Sequence, residues 1–376
     1  MNRVYFTIVF VAMLICNCRA AQAHGAEPKN ENKIQVAILL DTSNSMDGLI
    51  EQAKSRLWNI VNTLTTLKYK GEEPKIEIAL YEYGNDGLSQ KNDYIRQVTP
   101  LTTDLDLISE QLFGLRTNGG LEYCGAVIRH AAANLDWGKN AAFMRLIYIA
   151  GNESFEQGSV DYREAIGEAL EKGIFVNTIY CGNYDSGIDE RWKLGADAGK
   201  GKYFNIDPDA KVRYIVTPYD ERISRCNERL NNTYISYGAA GISKQVNQSQ
   251  QDKNAAAISS ANYAERVVSK SKSAYRNDSW DLVDKAKTDE KALSQIKQNE
   301  LPKEYRDKSE AELKAIVEQK AKEREEIQKE IAELAKQRQQ FMDAEMQKSN
   351  SEDDLGNAIN SSIKEFAEKK GYEIKE

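Results

Sequence analysis

Histidine is nearly missing from this chain: only His24 and His130 occur in 376 residues. Zinc sites and histidine-based acid/base chemistry have little to draw on. His130, in AVIRHAAANL, reads as a surface or boundary residue of a helix. Cysteine is scarce too. Of the five, Cys16 and Cys18 fall in an N-terminal leader, which leaves Cys124, Cys181 and Cys226. An odd number allows at most one internal disulfide and a thiol to spare. Past the leader no stretch approaches the ~20 apolar residues of a membrane span. Positive charge is not in excess, with 51 Lys and Arg against 58 Asp and Glu, so the net charge of -7 offers nucleic acid no electrostatic footprint. The glycine-rich pieces GNDGLSQ and AGKGKYF lack phosphate-loop spacing and read as turns. No nucleophile elbow is present either, so hydrolytic chemistry lacks its parts and the expectation is a protein that is not an enzyme.

Residues 1–23 join a basic start at Arg3, the apolar run VYFTIVFVAMLI and the small-residue ending AQA. Together they read as a secretory signal cut after Ala23, which leaves His24 as the first mature residue. A lipid-modified cysteine is the alternative, but Met-Leu-Ile before Cys16 and Asn before Cys18 stand where small residues are wanted. The mature chain is therefore expected in the periplasm, at the cell surface or outside the cell.

From residue 31 to about 215, apolar runs alternate with amphipathic segments. Strands are expected at Lys33 to Leu40, Ile76 to Tyr83, Tyr94 to Thr99, Met144 to Ala150, Ile174 to Cys181 and Lys202 to Asp207. Between them Leu49, Ile50, Ala53, Leu57, Ile60, Val61 and Leu64 recur at helical spacing, as do Leu105, Ile108, Leu112 and Leu115. Tyr162 to Lys172 stops at Gly173. AILL and LIYIA lack polar alternation, as strands covered on both faces do. The fold class is α/β, a doubly wound, mostly parallel sheet with helices on both faces.

Residues 216–376 have another texture, rich in Gln, Lys, Glu, Ala and Ser. Polar helices are expected at 218–236 and 244–275, broken by YGAAGIS, and a long one from Ser309 to Gln347. Along the long helix Leu313, Val317, Ile327, Ile331, Leu334 and Phe341 form an approximate heptad seam, interrupted by Lys320, Arg324 and Arg338. Such a seam fits packing within one chain, or an antiparallel coiled coil, better than a long parallel dimer. SNSEDD then precedes a last helix, Leu355 to Lys370, and Trp280 is a candidate anchor for the tail.

One short stretch carries the chemistry. DTSNSM, directly after the buried strand, puts Asp41, Ser43 and Ser45 at alternate positions on one side of a loop. In doubly wound sheets the ligand crevice lies beyond the carboxyl ends of the strands. A carboxylate and two small hydroxyls suit a hard divalent ion that keeps several waters. Helix capping by Asp41 and Ser43 is the structural alternative.

KIQVAILLDTSNSMDGLIEQAK resembles the opening of a von Willebrand factor type A domain, where D-x-S-x-S forms the first loop of a metal-ion-dependent adhesion site. The likeness spans residues 31 to 207, and DTSNSMDGLI, YGNDG, LRTNGG and AGNE resemble an exported bacterial group with a helical tail. The resemblance implies two further loops, and both depart from pattern. In the second, Glu122 stands in place of a threonine; in the third, Gly151 stands in place of an aspartate, with Asn152 and Glu153 following. The implied function is non-enzymatic binding of a partner protein in the cell envelope. Asp41, Ser43, Ser45 and Glu122 would hold Mg²⁺, with Mn²⁺ or Ca²⁺ as alternatives, and Asn152 or Glu153 would supply an auxiliary contact. The other reading is a metal-free structural domain whose tail carries assembly. Cys124 and Cys181 are expected at the same rim, where either a disulfide or two separately buried thiols would fit.

Overall fold

The run KIQVAILLD folds as the first strand, β1 (Lys33–Asp41), because its aliphatic side chains can be buried on both sides at once. Ile34, Val36 and Leu40 enter one apolar cluster, while Ala37 and Leu39 enter the other. In this computed structural model residues 32–207, 212, 214–289, 291–346 and 355–374 are described. The leader with Cys16, Cys18 and His24, and the SNSEDD stretch, lie outside the described residues.

The remaining strands are β2 (Leu67–Tyr69), β3 (Lys75–Tyr83), β4 (Ile95–Thr102), β5 (Met144–Gly151), β6 (Ile174–Cys181), β7 (Lys200–Ile206) and β8 (Tyr372–Ile374). Six of them form one sheet in the order β4-β3-β1-β5-β6-β7, parallel except for β4 on the edge. The chain steps from β1 outward to β3 on one side and β5 on the other. The order therefore reverses at β1, and a crevice opens at its carboxyl end. That end is Asp41.

Helices α1 (Asp47–Leu64), α2 (Leu105–Gly114), α3 (Cys124–Asn134), α4 (Tyr162–Glu171), α5 (Tyr184–Asp189) and α6 (Trp192–Ala198) complete this half. Leu49, Leu57 and Val61 of α1 pack with Ile108 and Leu112 of α2 on one face of the sheet. Val127 and Ile128 of α3, Ile166 of α4 and Trp192 of α6 cover the other.

The helical region holds α7 (Asp220–Asn231), α8 (Gly241–Ile258), α9 (Ser260–Lys270), α10 (Leu282–Thr288), α11 (Ala292–Gln295), α12 (Glu310–Met346) and α13 (Leu355–Lys369). It packs onto the α1 side. Val267 of α9, Ile331 of α12, and Ile363 and Phe366 of α13 belong to the same buried cluster as Val36 and Leu57. Trp280 belongs to it as well, with its ring centroid 5.6 Å from that of Tyr234. The expected single helix at 244–275 divides at Ser259, which is extended at φ -170° and whose side chain caps α9 through the Asn262 N–H. The break lets α9 fold back along α8 and bring Arg266 to Asp252. At the chain's end β8 pairs antiparallel with β2, a small sheet that three-residue segments do not announce.

On the 37-residue α12, the seam residues Leu313, Val317, Ile327, Ile331 and Leu334 are buried, while Phe341 is only half-buried and Met342 takes the covered position. The polar interruptions all have partners, Arg324 and Arg338 buried and Lys320 half-buried. Arg324 reaches Asp281 and Asp284, both at 2.7 Å, and lies 4.2 Å from the Tyr234 ring; Arg338 reaches Asp220 at 2.8 Å. Lys320 donates to the Asn232 carbonyl at 2.8 Å.

Candidate metal centre at the carboxyl rim

Four loops meet beyond the ends of β1, β3 and β5, and main-chain bonds tie three of them together. Thr42 N–H donates to the Tyr83 carbonyl at 2.9 Å, and Asn118 N–H donates to the Thr42 carbonyl at 3.0 Å. The Asn85 side chain reaches the Arg116 carbonyl at 2.9 Å. Gly84 makes the closeness possible: at φ +74° it adopts a left-handed backbone, and a Cβ there would stand 2.8 Å from both Asp41 Oδ1 and Glu122 Cγ. Two adjacent residues without glycine's freedom, Asp93 and Tyr94, also take positive φ where β4 begins, at 52° and 54°.

Asp41, Ser43 and Glu122 are brought together and buried, with side chains in contact. Asp41 Oδ1 accepts from the Ser43 N–H at 2.7 Å, and Ser43 Oγ lies 3.2 Å from the exposed Ser45 Oγ. Asn152 joins them by donating to Ser45 Oγ at 3.1 Å. Glu153 is exposed, with its carbonyl accepting from Trp192 Nε1 at 2.7 Å. Capping does not account for the hydroxyls, since α1 begins without any side-chain cap bond.

The electrostatics are unusual. Burial raises the Asp41 carboxyl well above its ordinary range, and its contact with Glu122 raises it further. Burial raises Glu122 too, against the opposing hydrogen bonds from Asp41 and Ser43. Two touching buried carboxyl groups hold a proton between them or need a cation. Asp41 Oδ2 and Glu122 Oε2 are both buried and bonded to nothing. Such orphaned oxygens call for an explanation, and an ion is one of the standard ones. Among the described residues no three His, Cys, Asp or Glu side chains gather as a ligand set. What the rim offers is two carboxylates and two hydroxyls, an all-oxygen set that fits Mg²⁺ with waters retained.

Several residues that shape the site were not singled out from sequence. The Tyr83 hydroxyl donates to the Ala150 carbonyl at 3.0 Å and fills the space beside the third loop. A Cβ at Gly151 would stand 2.5 Å from that hydroxyl and 3.2 Å from Asp41 Cβ, so this loop has no room for an inward acidic side chain. The Gln157 side chain accepts from the Glu122 N–H and holds the second loop. Neither residue has a local signal, because both act through the fold.

Cys124 and Cys181 do not form a disulfide; both are buried free thiols, as is Cys226. They point to opposite faces of the sheet. Cys124 packs with the α3 cluster, 3.8 Å from the Tyr83 hydroxyl, whereas Cys181 packs with the α1 cluster. His130 is half-buried against the Tyr81 ring, away from the rim loops.

Residues 35–216 match the family model of the von Willebrand factor type A domain. The chain carries a domain of that family. Among solved structures, a conserved hypothetical protein BatB from Bacteroides thetaiotaomicron is 19% identical over 46% of this chain and 90% of its own, with a TM-score of 0.36. A von Willebrand factor type A protein from Catenulispora acidiphila is 18% identical over 47% of this chain and 39% of its own, with a TM-score of 0.35. The pilus adhesin SpaC from Lactobacillus rhamnosus GG, in its open conformation, is 12% identical over 48% of this chain and 29% of its own, with a TM-score of 0.37. No curated protein matches the chain in sequence. Among the described residues no helix is long and apolar enough to cross a membrane.

Proposed function

We propose that this is a non-enzymatic exported protein that binds a partner protein of the cell envelope through a divalent ion at the rim. Asp41, Ser43, Ser45 and Glu122 would hold the ion, Mg²⁺ foremost, with Asn152 steadying Ser45. When bound, the ion supplies a Lewis-acidic contact for an oxygen of the partner. The chain's own contribution is to bury the two carboxylates, fix Asp41 through the Ser43 N–H and keep Ser45 at the open side. One observation carries this reading: two buried carboxylates touch, and each keeps an unpartnered oxygen.

The test is thermal unfolding of the purified protein with and without Mg²⁺, Mn²⁺ or Ca²⁺. A ligand that binds only the native state raises its midpoint by mass action. Wild type should rise with at least one of these ions and Asp41→Ala should not. Equal behaviour of the two would leave a metal-free structural domain. Capture from an envelope fraction with wild type and with a Ser43→Ala, Ser45→Ala double variant then tests the partner, which the double variant should lose.

A further inference from the structure

We propose that the rim ion accepts an uncharged oxygen, a carbonyl or hydroxyl from a neutral or basic protein segment, and excludes carboxylates. This rests on the metal reading above and specifies the chemistry of the partner. Asp41 and Glu122 are in contact, each with a buried unpartnered oxygen, so a divalent ion between them is neutralised before any partner arrives. A neutralised ion keeps its Lewis acidity toward a lone pair but has no net charge with which to draw an anion.

The surroundings push the same way. Asp86 and Glu153 are exposed on the loops around the pair, and Asp47 is exposed at the first residue of α1. Asp86 is close in, since a Cβ on Gly119 would stand 3.7 Å from its Oδ2 and 3.2 Å from the Asn44 side chain of the first loop. Within residues 41–47, 84–88, 116–122 and 151–157 the one cationic side chain is Arg116. It turns back on its own segment, donating to the Phe113 and Leu115 carbonyls at 3.0 and 2.7 Å. A ring of like charge around a site slows and weakens the approach of an anion and favours neutral or cationic partners.

Acetate, standing for a carboxylate side chain, is the probe. Water-proton relaxation of the Mn²⁺-loaded protein reads whether acetate displaces metal-bound water. In wild type acetate should displace little. Glu122→Gln should take acetate at least roughly tenfold more tightly, and Asp86→Asn with Asp47→Asn, which leaves Asp41, Ser43, Ser45, Glu122 and Glu153 in place, should gain a smaller factor of about three. If Glu122→Gln loses Mn²⁺, the double variant decides alone. Equal response of wild type and variants to acetate, whether strong or absent, overturns the proposal while the metal reading survives. If Mn²⁺ never enhances relaxation in wild type, the metal reading fails, and this proposal fails with it.

Discussion

The protein buries acidic side chains in two places and treats them differently. Where α2, α8 and α9 meet, Asp106 and Asp252 are covered together with Arg266 and Lys270. Arg266 bonds Asp106 at 2.8 Å and Asp252 at 2.6 Å, and Lys270 adds a contact to Asp252 at 3.0 Å. Burial by itself would raise Asp252, but the two cations outweigh it and hold its carboxyl well below the ordinary range. At the rim Asp41 and Glu122 are as deeply covered, yet among the described residues no cationic side chain opposes their burial, and both shift upward. Burying a charge is tolerated when it is paired. The helical side supplies its cations from the chain, whereas at the rim that place is the one the proposed ion would take.

The largest effect should come from undoing the paired cluster. Arg266→Met leaves two carboxylates buried with Lys270 alone, and breaking a buried pair from one side costs about 3–5 kcal/mol. Denaturant unfolding should show the unfolding free energy fall by that amount, through a lower midpoint with the slope unchanged. The same type of substitution at the two clusters should then differ in sign. Without divalent ions near neutral pH, Asp252→Asn should destabilise by about 2 kcal/mol, whereas Asp41→Asn should stabilise by up to about 1 kcal/mol by removing like-charge contact. Destabilisation by both would break the comparison.

The pH dependence should also divide. Asp252 has a lowered native pKa, so its contribution is present above the ordinary carboxylate range and is lost as pH falls through that range and below it. The rim pair has raised native pKa values, so the native state holds more protons than the unfolded one above the ordinary range. Stability from this pair therefore falls as pH rises from the ordinary range through the raised values. Urea midpoints between pH 4 and 8 (roughly the span from the ordinary carboxylate range upward) should decline less for Asp41→Asn than for wild type. Saturating Mg²⁺ should flatten the wild-type decline. Smallest of all, Ser45→Ala should leave stability within about 0.5 kcal/mol, as surface changes do, and weaken Mg²⁺ binding several-fold.

Much of the sheet half was legible because its periodicities are plain: AILL and LIYIA could only be strands covered on both faces, and Leu49 to Leu64 could only be an amphipathic helix. The rim was legible in part. D-x-S-x-S marks its own place by following a buried strand, and Glu122 was reachable only through the resemblance to the family's second loop. Tyr83 and Gln157 were not, since each matters only once β3 and the loop after β5 are folded against the site. The cysteine pair was open from sequence because chain position gives the rim but not the face, and Cys124 and Cys181 fall on opposite sides of the sheet. In the helical half, Arg324 and Arg338 read as faults in an apolar seam. Their partners Asp281, Asp284 and Asp220 lie far off in sequence, and no local pattern ties an arginine to a distant carboxylate.

The most direct test of the central claim is calorimetric titration of the purified protein with Mg²⁺ near neutral pH, repeated in two buffers of different ionisation heat so that proton release is counted. The account predicts one saturable site whose filling releases protons from the rim, and no such site in an Asp41→Asn, Glu122→Gln double variant. Binding that survives in the double variant, or a wild type that takes up no Mg²⁺, would contradict it.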